Sequence, residues 1–111
     1  MDKNYIDGSS TLLVLSLISR KDMYGYEIIK ELEVLSETVF QFKEGTLYPI
    51  LHKAEEVGWI EAYSKTAESG KIRKYYHITK KGIQQLGQEQ EQWDQFKDSV
   101  IKVLNGPRYD V

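Results

Sequence analysis

The sequence predicts a mainly helical α+β domain: three packed helices, a β-hairpin, and one long final helix. Three observations carry this. Apolar residues recur with helical spacing through about residues 12–18, 24–35 and 47–57. The period switches from 3.6 to 2 after Gly58, and it returns to helical from Thr79 to Leu104. At 111 residues and 41% hydrophobic, the chain is one domain with room for a real core and little more.

The first helix is announced by Gly8-Ser9-Ser10, which offers a cap, followed by Leu12, Leu13, Val14, Leu15, Leu17 and Ile18. A helix apolar on most sides is a buried one. The same run is too short to span a bilayer, and no basic segment precedes it as in a signal peptide, so no membrane role and a cytoplasmic location are expected. The absence of cysteine removes disulfides, thiolate metal sites and thiol nucleophiles, and suits a reducing compartment.

Asp22 can cap a second helix over about 24–35, with Ile28, Leu32 and Leu35 at i, i+4 and i+7 on its inner face. Residues 39–42 form a short, aromatic, extended bridge. The third helix lies in KEGTLYPILHKAEEVGWI, residues 43–60. There Leu47, Ile50, Leu51, Ala54 and Val57 make one packing face, leaving Tyr48, Pro49, His52 and Lys53 on the outer face at the helix start. With Thr46 as N-cap, Pro49 falls at the third helical position, where an amide has no intrahelical partner to lose. Gly58 ends the helix.

WIEAYSKT (59–66) and IRKYYHIT (72–79) alternate as strands around the loop AESGK (67–71). Ile60 and Ala62 point to one face of the first strand, Tyr76 and Ile78 to one face of the second. Three helices, the third exposed at its start, then a hairpin with basic residues at its tip, is the order of a winged helix-turn-helix. Such a helix enters the DNA major groove N-terminal end first, amides and hydroxyls on phosphates, outward side chains on base edges.

The net charge of −2 does not oppose this, because the charges are segregated. Residues 71–81 hold Lys71, Arg73, Lys74, Lys80 and Lys81 and no acid, whereas 84–99 hold Glu89, Glu91, Asp94 and Asp98 against Lys97 alone. A local basic stripe marks a polyanion partner whatever the total. Lys71, Arg73 and Lys74, near the tip with only Glu68 beside them, are the candidate wing contacts.

The final helix, capped by Thr79 and closed by Asn105-Gly106-Pro107, has some 25 residues and extends about 37 Å. Ile83 and Leu86 can dock on the body. Trp93, Phe96, Val100 and Val103 recur at 3-4-3 spacing beyond a polar QEQEQ, like a coiled-coil seam. These residues, with Leu86, are the candidate dimer interface. In a twofold dimer the Trp93 and Phe96 rings would flank the axis and could stack on a planar aromatic effector; a dry seam without a pocket is the plainer alternative.

An enzyme is disfavoured. The two histidines, His52 and His77, lie on a helix and a strand with no ligand spacing and no adjacent catalytic motif, and no cofactor or metal is called for. A winged helix used only for protein contacts is the competing reading.

MYGYEIIKEL (23–32), GTLYPILHKAEEVGWI (45–60) and RKYYHITKKG (73–82), in this order and spacing, resemble the PadR family of bacterial transcriptional regulators, within it the short members with a single C-terminal dimerisation helix. The resemblance spans about residues 9–104. It implies a homodimeric repressor on a palindromic operator in double-stranded DNA, released in many members by a small aromatic compound. It places Gly45, Thr46, Leu47, Tyr48 and Pro49 at the start of the recognition helix and Tyr24, Gly25 and Tyr26 at the start of the supporting helix. With these, Tyr24, Tyr26, His52 and Lys53 join the DNA-contact candidates. It also implies division into a DNA-binding part, 1–79, and a dimerisation helix with a short tail, 80–111. Trp59 stands where the family has a smaller aliphatic residue.

Overall fold

The computed structural model describes the backbone of residues 3–109 and the side chains of 9–109. Its elements are α1 (Lys3–Arg20), β1 (Met23–Tyr24), α2 (Gly25–Leu35), α3 (Glu44–Glu56), β2 (Ile60–Thr66), β3 (Ile72–Ile78) and α4 (Lys80–Leu104). The strands form one antiparallel sheet in the order β1-β3-β2. One core gathers the inner faces of α1, α2 and α3 against the sheet, led by Val14, Leu15, Ile18, Ile28, Leu47, Leu51 and Ile60.

Four expectations about helix ends need correction. Gly8-Ser9-Ser10 does not cap α1, which already begins at Lys3. The helix packs against α4, and that tertiary contact outweighs a local start signal. Asp22 does not cap α2; the N-cap is Tyr24, without a side-chain hydrogen bond, because β1 pairing fixes the entry. The inner face of α2 stops at Leu32, and Leu35 is exposed. Nor does Thr46 cap α3. The N-cap is Lys43, whose carbonyl accepts from the Thr46 and Leu47 amides at 3.0 Å each. The entry point is set by Phe42, which is buried one residue earlier. Pro49 therefore sits inside the helix, and the Gly45 carbonyl lacks the amide four residues on.

The C-terminus of α3 behaves as expected. Gly58 takes φ +84°, its amide donates to Glu55 O at 3.1 Å, and the Trp59 amide donates to Ala54 O at 2.8 Å. This is the paired closure that a left-handed residue after a helix allows. It turns the chain straight into β2.

In the hairpin, Ile60 faces Ile78 and Ala62 faces Tyr76 across the strands, so the alternation read from the sequence is the buried face. The strand β1 went unforeseen. Its two residues, Met23 opposite Tyr76 and Tyr24 opposite Tyr75, are too few to show a period.

The Thr79 hydroxyl caps α4. It accepts from the Gly82 amide at 3.1 Å and donates to Gly58 O at 2.6 Å. A Cβ on Gly82 would lie 2.0 Å from Trp59 O, so α4 crosses the start of β2 with no space to spare. Trp59 itself packs partly buried on the core. The helix then runs clear of the body, and the molecule measures 68 × 28 × 21 Å.

Candidate nucleic-acid interface

The outward edge of the molecule is made by the first turns of α3, the start of α2 and the hairpin. Gly45, Thr46, Tyr48, Pro49, His52 and Lys53 are all exposed on α3. Gly45 is informative. It is the second residue of the helix, and a Cβ there would meet nothing within 4 Å. A helical glycine costs roughly 0.5–1 kcal/mol relative to alanine. No internal contact demands it, so an approach from outside is what it permits.

Tyr48 is less free than its outer position suggests. A Cβ on Gly25 would lie 2.7 Å from the Tyr48 hydroxyl, so the ring leans across the first residue of α2, filling space that only glycine leaves open. Tyr48 thus rests on the start of α2 while keeping 38% of its surface exposed. Tyr26 is exposed nearby, with Lys30 Nζ 5.5 Å from its ring centre.

The wing cations divide by face. Lys74 lies on the inner-face register and pairs with Glu55 of α3 at 3.7 Å, an acid that loop sequence alone did not reveal. Lys71 is exposed beside the loop. Arg73 lies on the outer face, its guanidinium 4.4 Å from the Tyr24 ring centre. Directly across the ladder from Arg73 is Lys65, whose Nζ lies 5.4 Å from the Tyr75 ring centre. Sequence reasoning missed Lys65, yet hairpin register would have found it, since a five-residue loop between Thr66 and Ile72 sets Lys65 opposite Arg73. It also missed Tyr63 and Tyr75 of this face, having singled out only Tyr24. Tyr75 stacks on Tyr63 at 5.8 Å and 17°, and meets Tyr24 edge-on at 5.4 Å.

On α4, Leu86 packs on the chain's own core, whereas Ile83, expected to dock there too, is exposed. Trp93 and Phe96 lie 5.9 Å apart, and Phe96, Val100 and Val103 are exposed together with Ile101 and Leu104. A separate open cleft of about 500 Å³ lies between α1 and the start of α3, walled by Thr11, Thr46, Ile50, Lys53 and Trp59. Among the described residues no cluster of three or more His, Asp or Glu is placed to hold a metal, and no helix is long and apolar enough to cross a membrane.

Residues 14–88 match the transcriptional regulator PadR-like family. This chain belongs to that family. It is 37% identical to an uncharacterised protein of Lysinibacillus sphaericus over 101 residues, 91% of this chain and 93% of that protein. It is 31% identical to the transcriptional regulator YqjI of Escherichia coli over 84% of this chain but only 43% of that longer protein. Among solved structures, a transcriptional regulator from Clostridium thermocellum superposes with a TM-score of 0.83 at 35% identity, covering 90% of this chain and 97% of that one. A PadR-like transcriptional regulator from Bacillus cereus gives 0.82 at 32%, covering 95% and 100%. The PadR chain is thus a transcriptional regulator with the DNA-binding winged-helix fold.

Proposed function

We propose that this PadR protein is a cytoplasmic homodimeric repressor that binds a palindromic operator in double-stranded DNA. Residues 1–79 read the DNA and 80–111 hold the dimer. The observation that carries this is the unfilled space at Gly45, at the tip of an exposed helix, together with the Lys65 and Arg73 pair on the outer face of the hairpin. The Gly45 amide and the Thr46 hydroxyl meet a phosphate, Tyr48 and Pro49 pack against sugar or a thymine methyl, and His52 and Lys53 reach bases or phosphate one turn along. Tyr24 and Tyr26 support the entry, and Lys71 and Arg73 hold the neighbouring backbone.

The seam of Trp93, Phe96, Val100 and Val103 pairs with its own copy about a twofold axis. A small planar aromatic effector stacking on Trp93 and Phe96 there changes the separation of the recognition helices, which successive major grooves require at about 34 Å. Effector and DNA then weaken each other by the same factor.

Selection of bound duplex from a random pool tests the reading: a recovered palindrome supports it, and no enrichment removes it. A winged helix serving protein contacts alone would show no affinity falling steeply with salt. For the effector, the Trp59→Phe variant isolates Trp93, whose fluorescence should respond to planar aromatic dyes. If only the Trp59 signal of the native chain responds, the site is the cleft beside α3 instead. If neither responds, the effector claim falls and the dimer stands.

A further inference from the structure

Asp22 was expected to cap a helix and instead lies on the outer face of the sheet, where both its oxygens are taken. Oδ2 accepts from the Tyr63 hydroxyl at 2.6 Å and Oδ1 from His77 Nδ1 at 2.8 Å. Tyr63 is on β2 and His77 on β3, so one carboxylate, held in the turn between α1 and β1, ties both hairpin strands to the helical body. Lys21 does not compete for it, because Lys21 Nζ pairs with Glu27 at 2.8 Å. From Tyr63 the contacts continue through the stacked Tyr75 ring to Tyr24, and the two rings farther along the face each carry a cation: Lys65 over Tyr75 and Arg73 over Tyr24.

We propose that Asp22 is a positioning residue of the DNA-binding surface, clamping the hairpin so that the tyrosine stack presents Lys65 and Arg73 as a fixed pair to backbone phosphates. This rests on the DNA-binding reading above. The physical reason is entropy: long cationic side chains lose much rotamer freedom on meeting a phosphate, and rings that hold them beforehand reduce what is left to lose. A two-stranded hairpin is marginal by itself, so the angle of this face depends on what anchors it. The hydrogen bond from Tyr63 holds the Asp22 carboxyl below its ordinary range, and the same bond raises the Tyr63 phenol. The Asp22 carboxyl is therefore ionised at neutral pH and able to accept from Tyr63.

The experiment measures affinity of the full chain for a selected operator duplex and for a random-sequence duplex at moderate salt. Asp22→Ala should weaken both by about fivefold to tenfold, the scale of a lost coupling between contacting groups. Tyr63→Phe, an exposed change that cannot unfold the core, should reproduce most of that loss. Asp22→Asn keeps an oxygen for the Tyr63 hydroxyl and should restore most of the affinity. The decisive background is Lys65→Ala with Arg73→Ala: adding Asp22→Ala there should cost nothing further, whereas a merely destabilising change would cost the same as before. In parallel, the Tyr63 ring resonances of Asp22→Ala should titrate in the ordinary tyrosine range. Wild-type binding to the duplexes with undiminished binding by Asp22→Ala and Tyr63→Phe overturns the clamp alone. A wild type that binds neither duplex removes the DNA reading, and the clamp's role with it.

Discussion

The two ends of α4 obey opposite rules. At its start the helix is pressed against the body so closely that Gly82 leaves no space for a methyl group, and the Thr79 hydroxyl joins Gly58, in the turn after α3, to Gly82 in the first turn of α4. From Phe96 onward the same helix exposes apolar side chains, with Val103 81% and Leu104 72% accessible. Apolar surface left in water costs about 25 cal/mol per Å² relative to burial, and a contiguous patch normally marks an interface. The first end shows what the chain completes for itself. The second shows what it leaves exposed.

The largest effect should come from the closed end. Gly82→Ala forces a Cβ to within 2.0 Å of a backbone carbonyl and 2.7 Å of the Ile78 side chain. The expected cost is about 3 kcal/mol, the upper range for overpacking, and the thermal midpoint should fall by roughly 10 °C or more. An unchanged midpoint would mean that the crossing has slack, and the contrast between the two ends would fail.

The open end should answer oppositely. Phe96→Asp with Val100→Asp should leave the winged body folded, by circular dichroism of a dilute sample, while sedimentation shows a monomer. A wild type that sediments as a monomer would show that the stripe serves something other than a second copy.

The same distinction recurs among the wing cations. Lys74 is partnered internally by Glu55, whereas Lys71 and Arg73 have no acidic partner among the described residues. Reversing Lys71 and Arg73 to Glu should lower the salt slope of DNA binding by about two and weaken it at least a hundredfold at low salt. Lys74→Ala should change binding severalfold at most. Equal losses from the three single reversals would erase the distinction.

The smallest effects separate two glycines that the fold does not need. Neither Gly45 nor Gly87 would bring a Cβ within 4 Å of any atom outside its own helix turn. Both Ala variants should stabilise the free protein by about 0.5–1 kcal/mol. Gly45→Ala should also weaken DNA binding, and Gly87→Ala should not. If Gly87→Ala weakens self-association instead, that glycine marks where the partner helix comes near.

Much of this was readable in the sequence because periodicity is a long-range average. The 25 residues of α4, the Ile60/Ile78 and Ala62/Tyr76 pairs and the Gly58 stop rest on repeated or sterically obligatory signals. The misreadings of helix starts are local. Ser9, Asp22 and Thr46 have the chemistry of helix caps, but capping is worth about 1 kcal/mol, and burial of Phe42, pairing of β1 and packing of α1 on α4 outweigh it. The cross-strand Lys65–Arg73 pair and the Asp22 bridge, 41 residues from Tyr63 and 55 from His77, needed register and tertiary placement. The exposed face of α3 was legible because it is defined by what the buried face excludes; which of its side chains lean on the body, as Tyr48 does on Gly25, was not.

The joint at Gly82 also turns α4 into a lever. A helix of 25 residues is about 37 Å long, so a tilt of about 5° at its root moves the far end by about 3 Å. Because each residue adds 1.5 Å and about 100° of rotation, the reach of the lever changes only in discrete steps. Single-residue insertions in the polar stretch 88–92 would rephase the distal stripe against the body, while an insertion of seven would nearly restore its direction at a longer reach. In the proposed dimer, the spacing of DNA sites would then be a property of gearing, set by an integer number of residues between a fixed pivot and a seam.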